Sequence, residues 1–522
     1  MFRRFSHIAL VLTIFVWGGW ACSRISHAGS RPFEVVFLHI NDVYEIAPIH
    51  GRGGLARVAG LYQQLKSRNP NTLFILAGDF LSPSVLGALR YGDKRVKGRH
   101  MVEALNAAGV QYVVFGNHEF DYDEADLQAR LDESEFVWLG ANARQVTPEG
   151  PRPFAKIREG KPQPCPDHLA LTLRDAGGRS LRLGMLGVLV NSGRKPYVTY
   201  TDWKEAADIS LKALRPQTDV VVALTHLNKT DDRQFAVAFP EIPLIMGGHD
   251  HENMLERIGP VTLAKADANA PTAYIHTLRY DPRARRATVR SELVIIDEKI
   301  PEDPATAAVV TKWTNIERQA LKESGINSDA EITTLTQPLD CREAFIRYQQ
   351  APVGDLLTEA MIAASRHGAQ CAVINSGSVR IDDLMKGKIT EYEVVRMLPF
   401  GGGVSDVEVR GAMLRRMLDT GLKNQGNGGY LQYGKRIAHR GDNWLVNGAP
   451  IDEQGIYRVV LPNYMLDVGD QNLAFVKARN TDAPLTDNPE IPRRYKPHTD
   501  DASDVRRDVR VLLIDYWKKN SR

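Results

Sequence analysis

Short apolar runs that end in polar clusters constrain the fold of this chain more than any other feature of its sequence. They lie between residues 34 and 300, are rich in β-branched residues, and are separated by helical segments. Apolar runs without alternation predict strands buried on both faces of a layered α/β or β-sandwich core. Ligands commonly gather beyond the carboxyl ends of such strands, so the polar clusters predict a functional site. The runs are Val35–Ile40, Thr72–Ala77, Tyr112–Phe115, Ser180–Val190, Asp219–Leu224 and Leu244–Met246.

The polar clusters supply carboxylate, amide and imidazole groups. Mixed oxygen and nitrogen donors suit Mn²⁺, Zn²⁺, Fe or Co²⁺ better than Ca²⁺, which prefers oxygen alone. Two ions about 3.5–4 Å apart can clamp a phosphate, supply a hydroxide and stabilise the leaving oxygen. A single strand-end Asp is usually a turn or a helix cap, but so many donors at successive run ends favour a metal site. The donors are Asp42, Asp79, Asn117, His226, His249 and His251.

Five segments around these residues resemble, in order, the motifs of the calcineurin-like metallophosphoesterases. The string Gly-Asn-His-Glu-Phe-Asp at residues 116–121 is the version seen in the 5′-nucleotidase family. Further segments in the second half resemble motifs of that family, so the resemblance covers roughly Val35 to Tyr516. The segments are Ile40–Asp42, Gly78–Asp79, Gly116–Asp121, Thr225–His226, Gly247–His251, Asn375–Arg380, Leu398–Gly401, Gly429–Gln432, and Leu461–Tyr464 with Gly469–Asp470.

The resemblance implies a two-domain α/β (α+β) fold. Residues 34–300 would form a four-layer metallophosphoesterase β-sandwich flanked by helices, and residues 329–520 would form an α/β substrate-binding domain. Residues 301–328 contain two early prolines and then an amphipathic run, which predicts a linker helix. By resemblance, the second domain would rotate about this hinge. The polar, proline-containing stretch 480–504 is predicted to be an exposed loop.

The resemblance also assigns catalytic roles. A metal-bound hydroxide at a dinuclear site would be the nucleophile, with Mn, Zn, Co or Mg as the ions. His118 would stabilise the transition-state charge or protonate the leaving group, and Asp121 would orient its imidazole. Asp79, at a tight Gly-Asp turn, would bridge the two ions. The ligand sets are Asp42, Asp79 and His251 for the first ion, and Asp79, Asn117, His226 and His249 for the second.

One residue departs from the family pattern. The family commonly has Asp-x-His at the first motif, where this chain has Asp42-Val43-Tyr44. A neutral phenol is a poorer ligand than imidazole for divalent ions, so Tyr44 is expected to shield the site while the first ion position is weaker or differently completed. Glu45 is a further candidate ligand. The departure leaves the metal identity open but not the reaction class.

The second half resembles the family's substrate-binding domain. Tyr430 and Tyr464 occupy the positions expected to sandwich a base, which is worth about 1–3 kcal/mol per base. By the same resemblance, Asp470 would bind the ribose hydroxyls. Arg380 and Arg410 would hold the phosphate or the ribose, because a guanidinium makes forked contacts.

The predicted function is hydrolysis of nucleoside 5′-monophosphates to nucleoside and phosphate by a phosphomonoesterase. Alternatives are a 2′,3′-cyclic-nucleotide 2′-phosphodiesterase with 3′-nucleotidase activity, a thiosulfohydrolase of sulfur oxidation, and a nucleotide-binding surface protein without catalysis. A net charge of only +3 argues against a nucleic-acid polymer as partner. The preferred base and the oligomeric state stay open.

The N-terminus predicts export to the periplasm or cell envelope. Arg3 and Arg4 precede an apolar stretch, and residues 1–28 read as a signal peptide with a cleavage point after Ala28. A lipid anchor at Cys22 is the competing interpretation. No later apolar run is long enough to span a bilayer, so no membrane span is expected in the mature chain. The other cysteines are expected to be buried thiols, with pairing of Cys341 and Cys371 as the alternative.

Overall fold

The computed structural model describes residues 31–191 and 195–520. The predicted signal peptide and Cys22 lie outside these residues. Among the described helices, none is both long and apolar enough to cross a membrane. The three cysteines in the described part, Cys165, Cys341 and Cys371, are buried free thiols, so Cys341 and Cys371 are not paired.

Two six-stranded sheets pack face to face in the first domain. Phe37 and Ile75 of one sheet share an apolar cluster with Leu183 and Val222 of the other. Apolar and polar residues need not alternate along these strands, because both faces of each sheet are covered. In spatial order the first sheet consists of Arg286–Ile295, Thr272–Asp281, Phe33–Ile40, Thr72–Leu76, Tyr112–Val114 and Val137–Leu139, and the second of His168–Arg174, Ser180–Leu189, Val220–His226, Leu244–Gly247, Val261–Lys265 and Met254–Ile258.

Helices cover the outer face of each sheet, which gives the expected four layers. Apolar residues of these helices, such as Leu105 and Leu211, are fully buried against the strands. The helices are Leu55–Arg68, Arg99–Ala108 and Glu124–Glu133 on the first sheet, and Trp203–Leu214 and Lys229–Ala238 on the second.

A long helix, Pro304–Glu323, connects the two domains. Asp303, directly before its first residue, is the N-cap. The carboxylate of Asp303 accepts a hydrogen bond from the Thr306 backbone N–H at 2.9 Å. Trp313 is completely buried on the first domain and donates its indole N–H to Glu103 at 3.0 Å. The predicted linker helix is therefore present and anchored on the first domain, whereas rotation about it stays a prediction.

The second domain is a mixed α/β unit around another six-stranded sheet. Stretch 480–504 contributes three short strands to this sheet, so its prediction as a loop was wrong for those residues, whereas residues 481–490 are largely exposed as predicted. Arg494 in this stretch is fully buried and pairs with Asp467, which explains how so polar a segment enters the fold. The strands are Cys371–Ala372, Ile456–Pro462, Val404–Arg410, Arg493–Tyr495, Leu485–Thr486 and Asn480–Asp482, and the main helices are Pro352–Ala364, Glu391–Met397, Gly411–Lys423 and Val509–Asn520.

Smaller elements complete this domain. They include the pair Glu331–Asp340 with Leu384–Thr390, the pair Ile374–Asn375 with Leu431–Gln432, the short helices Glu343–Ile346 and Asn463–Asp467, and the three-stranded sheet of Ile437–Arg440, Asn443–Val446 and Ala449–Pro450.

Candidate metal centre and interdomain cavity

The predicted metal ligands meet where the carboxyl ends of the inner strands converge. Glycines let the loops after these strands approach one another closely. A side chain at Gly116 would collide with the Asp79 carboxylate, and one at Gly248 would collide with the Ala77 carbonyl. The Gly residues beside the ligands are therefore a packing requirement.

Several of these ligand candidates have a left-handed backbone. The φ angles are 52° at Asp42, 54° at Asp79, 84° at His249 and 62° at His251. Non-glycine residues seldom adopt such angles, and they persist where the surrounding structure holds them. This backbone turns the side chains of consecutive loops toward one point.

The side-chain distances define a compact cluster. His226 Nε2 lies 3.0 Å from Asp79 Oδ2, and His251 Nε2 lies 3.5 Å from Asp42 Oδ1. Asp79, His226 and His249 offer ligand atoms that all lie within 4.8 Å of one another. This spacing is compatible with a shared cation.

Unpaired buried atoms show that the cluster fits a metal. Within residues 31–191 and 195–520, Asp42 Oδ1, Asn117 Oδ1 and His226 Nε2 are buried and find no hydrogen-bond partner. This state is costly unless another group satisfies these atoms. His226 Nδ1 lies 2.8 Å from the Ala77 carbonyl, which places a proton on Nδ1 and makes Nε2 the nitrogen that would bind an ion. Their oxygen and nitrogen chemistry matches a divalent metal.

The charges of the centre favour a cation. Burial opposes the protonated form of His226, but the nearby Asp79 carboxylate outweighs it and raises the pKa to about 9. The same balance raises the pKa of His251 to about 10, where Asp42 is the opposing charge. Imidazoles hold protons this strongly only in a strongly negative field, which is also the field that attracts a metal ion.

Two buried side chains, Glu119 and Lys265, hold the ligand loops in place through hydrogen bonds to the backbone. Glu119 accepts backbone N–H bonds from Asp79 at 3.0 Å, Phe80 at 2.8 Å, Leu81 at 3.2 Å and Gly116 at 2.6 Å. It thus ties the Asp79 loop to the Asn117 loop. Glu119 lies within the segment Gly116–Asp121, but its role is visible only from these tertiary contacts.

Lys265 acts on the other two ligand loops. Its ammonium donates to the carbonyls of Leu227 at 2.6 Å and Gly248 at 2.7 Å, and it pairs with Asp232 at 2.7 Å. These bonds tie the His226 loop to the His249 loop from behind. Lys265 ends an apolar strand and was not singled out from the sequence, because only its tertiary partners identify it.

His118 and Asp121 lie beside the metal cluster and contact the second domain. His118 Nδ1 lies 2.9 Å from Asp121 Oδ2, and Arg380 donates to the same oxygen at 2.6 Å. Burial disfavours the imidazolium, but Asp121 and Asp79 raise the pKa of His118 to about 9. Arg380 also pairs with Glu343 at 2.9 Å, so it joins the domains at the dyad.

Tyr44 faces the metal cluster rather than solvent. Its hydroxyl lies 3.0 Å from His251 Nε2 and 3.5 Å from Asp79 Oδ2. The other nitrogen of His251 lies 3.0 Å from the Asp382 carbonyl of the second domain. Glu45 does not join the cluster in this way, because its carboxylate accepts a hydrogen bond from Tyr392 at 3.0 Å.

A cavity of about 610 Å³ extends from Asp121 and Arg380 between the two domains. Tyr464, Asp470 and Phe400 line this cavity. Phe400 lies in the segment Leu398–Gly401, and no role for it follows from the sequence. Phe400 is 56% exposed and Tyr464 is 52% exposed. Large apolar side chains exposed at a cavity are typical of ligand contacts.

The structure does not bring two predicted substrate residues into this cavity. Tyr430 is 4% exposed and is absent from the cavity wall, because its ring packs inside the domain near Gln350. Arg410 ends the strand Val404–Arg410, whose first residue lines the cavity. At about 3.3 Å per residue, its backbone lies roughly 20 Å farther along the strand.

Comparisons with known proteins agree with this architecture. Residues 35–253 match the calcineurin-like phosphoesterase model, and residues 331–477 match the 5′-nucleotidase C-terminal domain model. The 5′-nucleotidase of Bos taurus is 23% identical over 513 residues, covering 84% of each chain. The structure of a 5′-nucleotidase precursor from Thermus thermophilus aligns with a TM-score of 0.63 at 21% identity, covering 93% of this chain and 96% of that one.

A solved sulfate thiohydrolase, SoxB of Thermus thermophilus, has a TM-score of 0.57 at 14% identity over 94% of each chain. This likeness shows a common fold only. The first domain is therefore a calcineurin-like phosphoesterase domain, of a class that uses divalent metals. With its second domain, the chain belongs to the 5′-nucleotidase family, and it is a hydrolase.

Proposed function

We propose that this hydrolase releases phosphate from nucleoside 5′-monophosphates at a dinuclear divalent-metal site. The observation that carries the proposal is the position of the cavity. It is lined by Asp121 of the dyad, by Arg380, and by the exposed rings of Phe400 and Tyr464. A phosphate at the dyad and a base at the rings would occupy opposite ends of one ligand.

The metal-binding residues would be those that the sequence predicts. Asp42, Asp79 and His251 would hold one ion, and Asp79 would share in holding the second. Bound divalent ions would stabilise phosphate charge and activate a water molecule. The remaining ligands of the second ion would be Asn117, His226 and His249.

His118 would supply a proton or positive charge to the leaving oxygen. Asp121 raises the pKa of this imidazole, which favours its protonated form, and holds the ring through Nδ1. This leaves Nε2 as the nitrogen that meets the leaving group. Arg380 would orient Asp121 and close the dyad from the second domain, a role that its two carboxylate partners support.

The base would stack between Phe400 and Tyr464, which replaces the predicted pair Tyr430 and Tyr464. Asp470 lies on the same cavity wall, where burial raises the pKa of its carboxyl. It would accept hydrogen bonds from the ribose hydroxyls. Arg410 has no part in this arrangement.

Phosphate release from AMP by the full chain tests the proposal. The protein is treated with EDTA and then given Mn²⁺, Zn²⁺, Mg²⁺ or Co²⁺, with parallel samples of a 2′,3′-cyclic nucleotide and a non-nucleotide phosphomonoester. Metal-restored activity that favours AMP is expected. Preference for the cyclic nucleotide would instead establish the phosphodiesterase, and lack of activity with every metal would contradict an enzymatic role.

We also propose that the chain is exported to the periplasm or cell envelope. The basic residues and the apolar stretch within residues 1–28 support this. The mass of the mature protein in a fractionated cell is the test. A chain starting at Gly29 indicates a cleaved soluble form, a diacylated Cys22 indicates a lipid anchor, and an uncleaved cytosolic chain contradicts export.

A further inference from the structure

The two proposed ion positions differ in the number and strength of the ligands that the protein supplies to each. The inference rests on the proposed metal-dependent function, and it concerns how tightly each of the two ions would be held. The position of Asn117, His226 and His249 is called the complete position, and that of Asp42, His251 and Tyr44 is called the tyrosine position. Asp79 is shared by both.

The complete position has four strong donors prepared for an ion. Asn117 Oδ1 and His226 Nε2 are both buried and have no hydrogen-bond partner in the described part of the chain. The carboxylate oxygen that approaches His226 Nε2 belongs to Asp79, which is itself a ligand of this position, so an ion would join these two groups rather than displace one of them. The His226 ring is held in the required tautomer by the Ala77 carbonyl. Asp79 Oδ2 lies 3.0 Å from the free nitrogen of His226.

The tyrosine position has fewer strong donors, and one of them is already engaged. Among the described residues, and besides the shared Asp79, the strong donors at this position are the carboxylate of Asp42 and the imidazole of His251. His251 Nε2 lies 3.0 Å from the Tyr44 hydroxyl, and its Nδ1 lies 3.0 Å from a carbonyl oxygen. An ion that binds His251 must therefore replace the contact with Tyr44.

Neighbouring carboxylates do not complete the tyrosine position. Glu45, the nearest in sequence, is held by Tyr392, which also lies 3.1 Å from Glu317. Asp382 lies on the Nδ1 side of His251, with its carboxylate 3.6 Å from that nitrogen. The fourth protein group at the position is thus the hydroxyl of Tyr44, and a neutral phenol is a weak donor to divalent ions.

We propose that Tyr44 makes the dinuclear site unequal, so that the chain keeps one divalent ion tightly at the complete position and exchanges a second ion at the tyrosine position. Since catalysis needs both ions, hydrolysis by this chain then depends on the free metal concentration in its compartment.

Metal stoichiometry tests the proposal without relying on activity. Metal-free full-length protein is loaded with Mn²⁺ and gel-filtered, its metal content is measured by inductively coupled plasma mass spectrometry, and binding is measured by titration calorimetry. The native chain is expected to retain one ion, and its two affinities are expected to differ at least about tenfold. Tyr44→His, which supplies an imidazole, is expected to retain two ions.

Tyr44→Phe is the matched control, because it keeps the buried ring and removes only the hydroxyl. It is expected to retain one ion, as the native chain does. Retention of two ions by the native chain, or of one ion by a folded Tyr44→His variant, would overturn the proposal and leave the proposed function intact. A native chain that binds no Mn²⁺, Zn²⁺ or Co²⁺ would instead overturn the proposed function, and this inference with it.

Discussion

The metal centre and the interdomain cavity meet at Asp121 and Arg380 but are constructed differently. The metal centre consists of buried side chains on strained loops, which Glu119 and Lys265 fix through backbone hydrogen bonds. The cavity is lined by side chains from both domains, of which the rings of Phe400 and Tyr464 are about half exposed. The first domain is thus organised for one reaction, whereas the cavity wall can change between relatives without disturbing that chemistry.

This comparison predicts that damage to the metal centre affects every substrate, whereas damage to the cavity affects nucleotides only. The largest effect is expected for His118→Ala. Loss of a positioned acid should lower kcat by about 10²- to 10⁴-fold, equally for AMP and for a non-nucleotide phosphomonoester. Steady-state kinetics with metal analysis checks this, and a loss confined to AMP would contradict the assigned role.

Glu119→Gln should have the next largest effect. The carboxamide N–H₂ would face backbone N–H groups that now donate to a carboxylate. We expect metal affinity to fall about 10- to 100-fold, measured by titration with Mn²⁺. Glu124→Gln makes the same change at an exposed side chain and should bind metal normally. Equal affinities in the two variants would show that Glu119 does not position the ligands.

Substitutions in the cavity wall test whether this region binds the base of the nucleotide. Phe400→Ala and Tyr464→Ala should each lose stacking worth about 1–3 kcal/mol, or roughly 5- to 150-fold in kcat/KM for AMP. Hydrolysis of the non-nucleotide ester should be unchanged. Tyr430→Phe, at a buried ring, serves as the control. Unchanged kcat/KM for AMP in Phe400→Ala and Tyr464→Ala would contradict the stacking role of these two rings.

The smallest effect is expected at Glu317, which lies on the helix Pro304–Glu323 that connects the two domains. Burial and then the neighbouring Glu45 raise the pKa of Glu317 from 4.5 to about 8. Because the folded state holds this proton more tightly than the unfolded state, stability should fall as pH rises between about 4.5 and 8. Glu317→Gln should flatten this dependence in thermal unfolding across the same pH range. Parallel curves for the two proteins would contradict it.

Much of the metal centre could be predicted because its signal is local. The ligands lie at the end of an apolar strand or within four residues after it, and Asp79, Asn117 and His249 each follow a glycine directly. Parallel strands bring their carboxyl ends to one edge. The cavity offered no such signal. Tyr430 and Phe400 lie in similar short motifs, and only packing shows that one ring is buried while the other is exposed.

The amino-acid sequence alone is therefore enough for the layered fold, through its apolar runs, for the family, through the resemblance of its motifs, and for the chemical character of the metal ligands. Each of these depends on residues that are close together in the chain. The tertiary structure decided which aromatic rings face the cavity and where Arg410 lies. It also decided that Arg380 pairs with Asp121, 259 positions away in the chain. Contacts of this kind depend on how two domains pack, and that packing is the sum of many small interactions that no single motif records.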